Sequence, residues 1–395
     1  MTREELKDKI VSLQGTNWLL ELPTGFGKSK MAIDKIKSIK SNKKNQTLLI
    51  VVPRNVHKNN WADELNKWWP NCNLKISYTT YVSFPKYKGE WDYVIFDECH
   101  HLSERCREAI CDFKIGHSVL CSATVSRTLR DELTEVFDNL VLYKKDLRDV
   151  IESNILPDPK VYLWPLELNT TDYSEVILKN PKAKGETLQC TWDTRWNFIK
   201  QKTNPVRIQC TERQYYSDLF SQIDFWKKKF LSTRNEIAKN KYLRLCSIRL
   251  KWLSDKKINT LLELLKYLDN YRTITFCNSI MQTELLGDYC VNSKNSNSIQ
   301  YLEEFNNGKV NHITACNMLN EGMNLVDCQV GIYANLNSSE TIIKQRMGRL
   351  LRHPNPIIIV PYFNNTREVE LVQKMLEDYN LDLVKTITNY NEIET

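Results

Sequence analysis

Within Leu22-Pro23-Thr24-Gly25-Phe26-Gly27-Lys28-Ser29, two glycines, a lysine and a hydroxyl stand at a junction between an apolar run and a helix-like run. Those residue types suit a phosphate cradle. Glycines let backbone N–H groups approach the anion, Lys28 can bridge the terminal phosphates, Ser29 can hold Mg2+, and a helix N-terminus favours negative charge. The first glycine of the full phosphate-loop pattern falls at Leu22, so a tight turn ahead of a basic helix is the alternative reading. Downstream, Asp97-Glu98-Cys99-His100 directly follows the apolar residues 93–96. At the carboxyl end of a buried strand Asp97 can hold Mg2+, and Glu98 can orient and deprotonate a water that attacks a phosphate. An acidic loop after a core strand is the plainer alternative. Ser122-Ala123-Thr124 follows another apolar run, and its two hydroxyls can hydrogen-bond the acidic cluster.

Gln345-Arg346-Met347-Gly348-Arg349-Leu350-Leu351-Arg352 carries a second kind of anion chemistry. Arg349 and Arg352 are three residues apart and share a helical face. Planar guanidinium forks bind oxyanions bidentately, which suits a terminal phosphate. Met347, Leu350 and Leu351 interleave the arginines, so this helix is expected to lie against protein. Pro53 and Arg54, the Trp61 to Glu64 turn and Thr79-Thr80-Tyr81 can contact a phosphodiester backbone through hydroxyls and loop amides, and could equally serve capping and packing.

The elements that must position these groups alternate. Residues 48–52, 93–96 and 118–121 are continuous apolar runs, as parallel strands covered on both faces tend to be, and 58–69 and 104–113 have helical spacing. A doubly wound parallel sheet is expected over 1–155. Leu156-Pro157-Asp158-Pro159 marks a boundary. Over 156–254 the character changes: a strand-like stretch, a polar loop, then two basic helices expected at 211–239 and 241–254. This region concentrates Trp192, Trp196, Tyr215, Tyr216, Phe225, Trp226 and Trp252. Its aromatics could part a duplex, stack unpaired bases at roughly 1–3 kcal/mol each, or simply pack an accessory module. Alternation resumes over 255–395, with strands expected at 273–277, 313–316, 330–333 and 357–360.

Bulk properties narrow the class. The 395 residues carry a formal charge of +7 with both signs interleaved, compatible with nucleic acid. No run of about 18 apolar residues signals a membrane span, and the first residues are charged, without an apolar signal core. Twelve cysteines are scattered without Cys-x-x-Cys or zinc spacing, so reduced thiols and a cytoplasmic setting are expected.

Taken in order, the blocks resemble those of the superfamily 2 helicases and translocases. Residues 23–29 look like motif I, Pro53 with Trp61 and Glu64 like motif Ia, and 79–81 like motif Ib. Residues 97–100 resemble the DExH box and 122–124 motif III. Residues 275–278 resemble motif IV, 321–325 motif V and 345–352 motif VI. The resemblance implies two RecA-like parallel-sheet domains in tandem, α/β in class, with an inserted accessory region. It implies ATP and Mg2+ in the cleft between them. Pro23, Thr24, Gly25, Phe26, Gly27, Lys28 and Ser29 would bind the nucleotide from the front, with Asp97 and Glu98. Arg349 and Arg352 would complete the site on closure, with Gly322, Asn324 and Gln345 nearby. His100, Ser122 and Thr124 would transmit nucleotide state. Pro53, Arg54, Thr79, Thr80 and Cys316 would touch nucleic acid. The arrangement of Pro53, Trp61, Glu64 and Thr-Thr-Tyr is similar to the double-strand translocase and restriction-subunit branch, a look shared by compact viral and phage helicases. Two departures stand out: Asn324 where an acid is common, and Cys316 where threonine is frequent. The implied activity is an ATP-driven motor, DNA favoured over RNA as its track. It would act as a monomeric DNA helicase that translocates on and unwinds DNA, beside replication, recombination or repair proteins, with a double-stranded DNA translocase or branch-migration ATPase without strand separation, or an RNA helicase, as the alternative.

Overall fold

The computed structural model describes residues 2–41, 45–87, 89–178, 184–199, 203–316, 325–336, 340–377 and 379–394. The apolar runs of the first half become six strands: β1 (Asn17–Glu21), β2 (Thr47–Val52), β3 (Lys75–Thr80), β4 (Glu90–Asp97), β5 (Lys114–Ser122) and β6 (Leu140–Lys144). They form one sheet in the order β3-β2-β4-β5-β1-β6, parallel at every junction. Helices on both faces leave the central strands without solvent contact, and Leu19, Leu20, Ile50, Val94, Ile95 and Leu120 are fully buried. Each such side chain contributes roughly 1.5–3 kcal/mol. The register sets the functional edge. Glu21 pairs with Ser122 and Asp97 with Cys121, so the chain leaves β4, β5 and β1 at neighbouring points.

The chain then crosses to a second sheet. Its first strand is β7 (Lys160–Leu166), inside the stretch expected to be accessory. A small sheet follows, β8 (Ser174–Leu178), β9 (Leu188–Thr191) and β10 (Val206–Cys210), ordered β8-β10-β9. After two long helices the second sheet resumes with β11 (Thr273–Phe276), β12 (Cys290–Val291), β13 (His312–Ala315), β14 (Val330–Tyr333), β15 (Ile357–Phe363) and β16 (Val384–Thr386). Its order is β12-β13-β11-β14-β15-β7-β16, again all parallel. One apolar cluster runs through both lobes, holding Leu22 and Phe26 at the front and Met347, Leu350 and Leu351 at the rear.

The two long helices are Glu212–Thr233 and Glu236–Lys256, so the break lies before the expected one at Asn240. Arg234 takes a left-handed conformation (φ 52°), and the Asn235 side chain accepts the N–H groups of Ile237 (2.8 Å) and Ala238 (3.3 Å). Asn235 is thus a helix cap, whereas Asn240 sits inside the second helix. The base of this hairpin is fixed to the second lobe. Leu168, Tyr216, Leu253 and Phe363 pack together, and the Arg367 N–H donates to the Tyr216 hydroxyl at 2.8 Å. Nearby, Lys257 and Glu368 form a buried ion pair at 2.7 Å, with Glu368 also accepting the Phe363 N–H at 2.8 Å. All twelve cysteines are free thiols. Among the described residues no helix is long and apolar enough to cross a membrane.

Candidate nucleotide and nucleic-acid site

The loop after β1 turns tightly, with the Phe26 N–H donating to the Pro23 carbonyl at 3.3 Å. Gly25 and Gly27 have φ of +86° and +97°, where a Cβ costs about 1–2 kcal/mol. Gly27 immediately precedes the helix Lys28–Ile39, whose first N–H groups have no partner within their own helix. Among the described residues the buried Thr24 hydroxyl also has no hydrogen-bond partner. Lys28 Nζ lies 3.6 Å from Glu98 Oε1, both side chains largely shielded from solvent.

The acidic turn after β4 is held from several sides. The Trp61 indole N–H donates to Asp97 Oδ2 at 2.9 Å, and the Tyr81 hydroxyl donates to the Asp97 carbonyl at 2.7 Å. Burial, then the adjacent Glu98 charge, pushes the Asp97 carboxyl up to about 6, against the opposing pull of Trp61 and Lys28. Glu98 itself sits at φ 47°, a left-handed conformation costing on the order of 1–3 kcal/mol in a residue with a side chain. His100 Nδ1 lies 3.5 Å from Glu98 Oε2 and 3.0 Å from Ser122 Oγ. The Ser122 hydroxyl also donates to the Thr124 carbonyl at 2.9 Å, which ties the turn after β5 to His100.

These donors fit a magnesium ion. Two neighbouring carboxylates carry more negative charge than Lys28 offsets, which adds to burial in raising the Asp97 carboxyl. Among the described residues no group of three or more His, Cys, Asp or Glu forms an all-protein metal cage. Mg2+ does not need one, being held by one or two carboxylates and hydroxyls together with substrate phosphates.

From the second lobe, the helix Glu340–Leu350 meets the phosphate loop backbone to backbone. A Cβ at Gly25 would lie 2.5 Å from the Gly348 carbonyl oxygen, and one at Gly348 would collide with the Thr24 backbone. Arg349 is buried and Arg352 exposed within electrostatic reach of Glu64. Arg346, to which the sequence assigned no role, is 2% exposed and stacks its guanidinium 5.2 Å from the Phe276 ring centre, fixing this helix on β11. Gly322 and Asn324 lie outside the described residues, as does the Gln345 side chain.

Of the expected nucleic-acid residues, Pro53 and Arg54 follow β2, Thr79 and Thr80 end β3, and Cys316 follows β13. Pro53 is half-buried and Arg54 exposed, its N–H donating to His57 Nδ1 at 3.1 Å. Thr79 is buried, while the Thr80 hydroxyl faces Ser83 at 3.4 Å beside Val82, which is 83% exposed. Cys316 is buried and its N–H is taken by the Val291 carbonyl at 3.1 Å. The two hydrogen bonds onto Asp97 from Trp61 and Tyr81 had no sequence signal beyond the presence of those aromatics.

Comparison with known proteins matches both lobes. Residues 2–83 match the type III restriction enzyme res subunit family, and residues 256–354 match the helicase conserved C-terminal domain. A protein of Sulfurisphaera tokodaii, DNA 3'-5' translocase XPB2, is 22% identical over 386 residues, spanning 92% of this chain and 79% of its own. In fold, the chain resembles S. cerevisiae Dbp5 bound to RNA and ADP BeF3, with a TM-score of 0.58 at 10% identity, over 98% of this chain and 88% of that one. A point variant of Dbp5 in the same complex gives 0.60 at 10% identity, over 98% and 91%. The two family matches fall on the phosphate-loop lobe and the arginine-helix lobe, and with the translocase relative they support a superfamily 2 helicase, an ATP-dependent nucleic-acid motor.

Proposed function

We propose that the protein moves along DNA, hydrolysing Mg2+-bound ATP between its two lobes, in the manner of the double-strand translocase and restriction-subunit branch. The match of residues 2–83 and the relative named as a DNA translocase support that branch. The observation that carries the reading is the apposition of Gly25 and Gly348, which sets the arginine helix against the phosphate loop. Lys28 and the loop N–H groups would bind the phosphates, and Ser29 and Asp97 would hold Mg2+, which supplies charge neutralisation at the transferred phosphoryl group. Glu98 takes the proton of the attacking water, and its 3.6 Å separation from Lys28 suits a carboxylate released when Lys28 turns to phosphate. Arg349 and Arg352 contribute as arginine fingers, worth about 10³–10⁵ in rate, so turnover depends on lobe closure. His100 and Ser122 pass the state of Glu98 to the strand ends.

The track lies over Pro53, Arg54 and Thr80, the burial of Thr79 withdrawing it from that surface, and it is gripped mainly at phosphates, so binding is largely independent of sequence and falls steeply with salt. The free thiols support a reducing, cytoplasmic setting. ATP hydrolysis measured with single-stranded DNA, duplex DNA, RNA or no nucleic acid tests the reading. Stimulation by duplex DNA is expected, and stimulation by RNA alone would overturn it. Strand displacement on forked and fully paired duplexes then separates unwinding from translocation.

A further inference from the structure

The hairpin of Glu212–Thr233 and Glu236–Lys256 is buried only near its base. Tyr216, Leu219 and Ile223 are covered on the first helix, and Arg249, Leu253 and Ser254 on the second. Between residues 224 and 248 Ala238 is the one buried side chain. At 1.5 Å per residue the hairpin therefore projects about 15 Å beyond its supported base. Residues 225–245 carry Lys227, Lys228, Lys229, Arg234, Lys239, Lys241 and Arg244 against a single carboxylate, Glu236. With Asp224 paired to Lys228 at 2.7 Å the surplus is five, in a chain whose formal charge is +7, so most of the net positive charge lies on this tip.

The cations are arranged as well as numerous. Lys229 and Lys241 both sit over the Trp226 ring, 5.2 and 4.2 Å from its centre, and Arg234 and Lys239 lie about the Phe230 ring at 6.0 and 5.9 Å. Each aromatic thus gathers one cation from either side of the turn. Like charges held together repel, and an anion placed between them relieves the repulsion. Phe225, 59% exposed, packs edge-on against Trp226 and presents a free face beside this cluster.

We propose that the hairpin tip is a second nucleic-acid contact, gripping the phosphodiester backbone of duplex DNA through Lys227, Lys229, Lys241 and Arg244, on a surface separate from the strand-end residues of the two sheets. The charge complementarity selects a polyanion, and the proposal rests on the motor reading above. Because Arg213 donates to the Asn365 carbonyl at 2.7 Å and Tyr216 accepts from Arg367, the tip travels with the second lobe.

The test replaces Lys227, Lys229, Lys241 and Arg244 by alanine in the full chain and measures duplex DNA affinity against salt. Every phosphate that the variant no longer neutralises lowers the slope of log K on log salt by about 0.9. A slope lower by about two to four, affinity down about tenfold or more at low salt, unchanged ATP hydrolysis without DNA, and rescue when the three lysines are arginine instead are expected. A photoreactive phenylalanine analogue at Phe225 should cross-link to DNA. Parent-like affinity and slope, or cross-links only to protein, would overturn the tip contact while leaving the motor reading intact. A parent chain neither bound nor stimulated by any nucleic acid would overturn both.

Discussion

Trp61 lies on a helix and Asp97 at the end of a strand, yet the indole N–H of one is spent on the carboxylate of the other at 2.9 Å. With one oxygen so fixed, the orientation of the whole carboxylate is set before any cation arrives. Trp61→Phe keeps the buried ring and deletes the donor. Removing such an outer partner typically costs 10–100-fold in metal affinity or activity. The Mg2+ concentration for half-maximal ATP hydrolysis should rise by about that factor, and Mn2+ binding followed by paramagnetic resonance should weaken in parallel. Unchanged metal dependence would show that the indole only packs.

Glu98→Gln removes the base and preserves the shape. Turnover should fall by about 10²–10⁴, while ATP and nucleic acid still bind. Lys28→Ala should also abolish turnover, and it should weaken ATP binding. Rapid hydrolysis by Glu98→Gln, measured as phosphate release, would remove Glu98 from its assigned role.

Gly348→Ala places a methyl group against the Thr24 backbone, so the arginine helix must retreat from the phosphate loop. Misplacement of catalytic groups by about 1 Å can cost about 10²-fold. The rate of ATP hydrolysis should fall accordingly with the melting temperature little changed. Gly27→Ala is the contrast: nothing lies within 4 Å of its Cβ, and only its positive φ is strained. Equal activity in Gly348→Ala and the parent would mean the two lobes do not work in this apposition.

Burial holds the His312 imidazole down to about 4, below its ordinary 6.5. The folded state therefore keeps His312 neutral where the unfolded chain takes up a proton. Stability from this group is present above 6.5 and declines as pH falls toward 4. The decline is at most about 3 kcal/mol. His312→Gln should lower stability at pH 7 by removing the bond to the Thr275 hydroxyl, and should close the gap with the parent at pH 4.5. Thermal melts of both chains at the two pH values measure this.

Much of this architecture is legible in the residues because local signals and global fold agree. Continuous runs such as Leu48 to Val52 suit strands covered on both faces, and the glycines beside Lys28 supply the positive φ that their turn takes. The position of β7 was not legible, since its partner β15 lies far downstream and parallel pairing leaves no mark on either strand. The hairpin turn falls earlier than its sequence suggests because Asn235 and Asn240 look alike until one of them caps a helix. The strain at Glu98 had no signal at all, because a glutamate is not the residue that a left-handed position selects.

The main chain passes between the two sheets once, after β6, and β7 already belongs to the second. Both ends of the intervening segment, from β8 to the foot of the hairpin, are therefore spliced into one lobe. That segment is a cassette: a change in its length leaves untouched the single tether that joins the two halves.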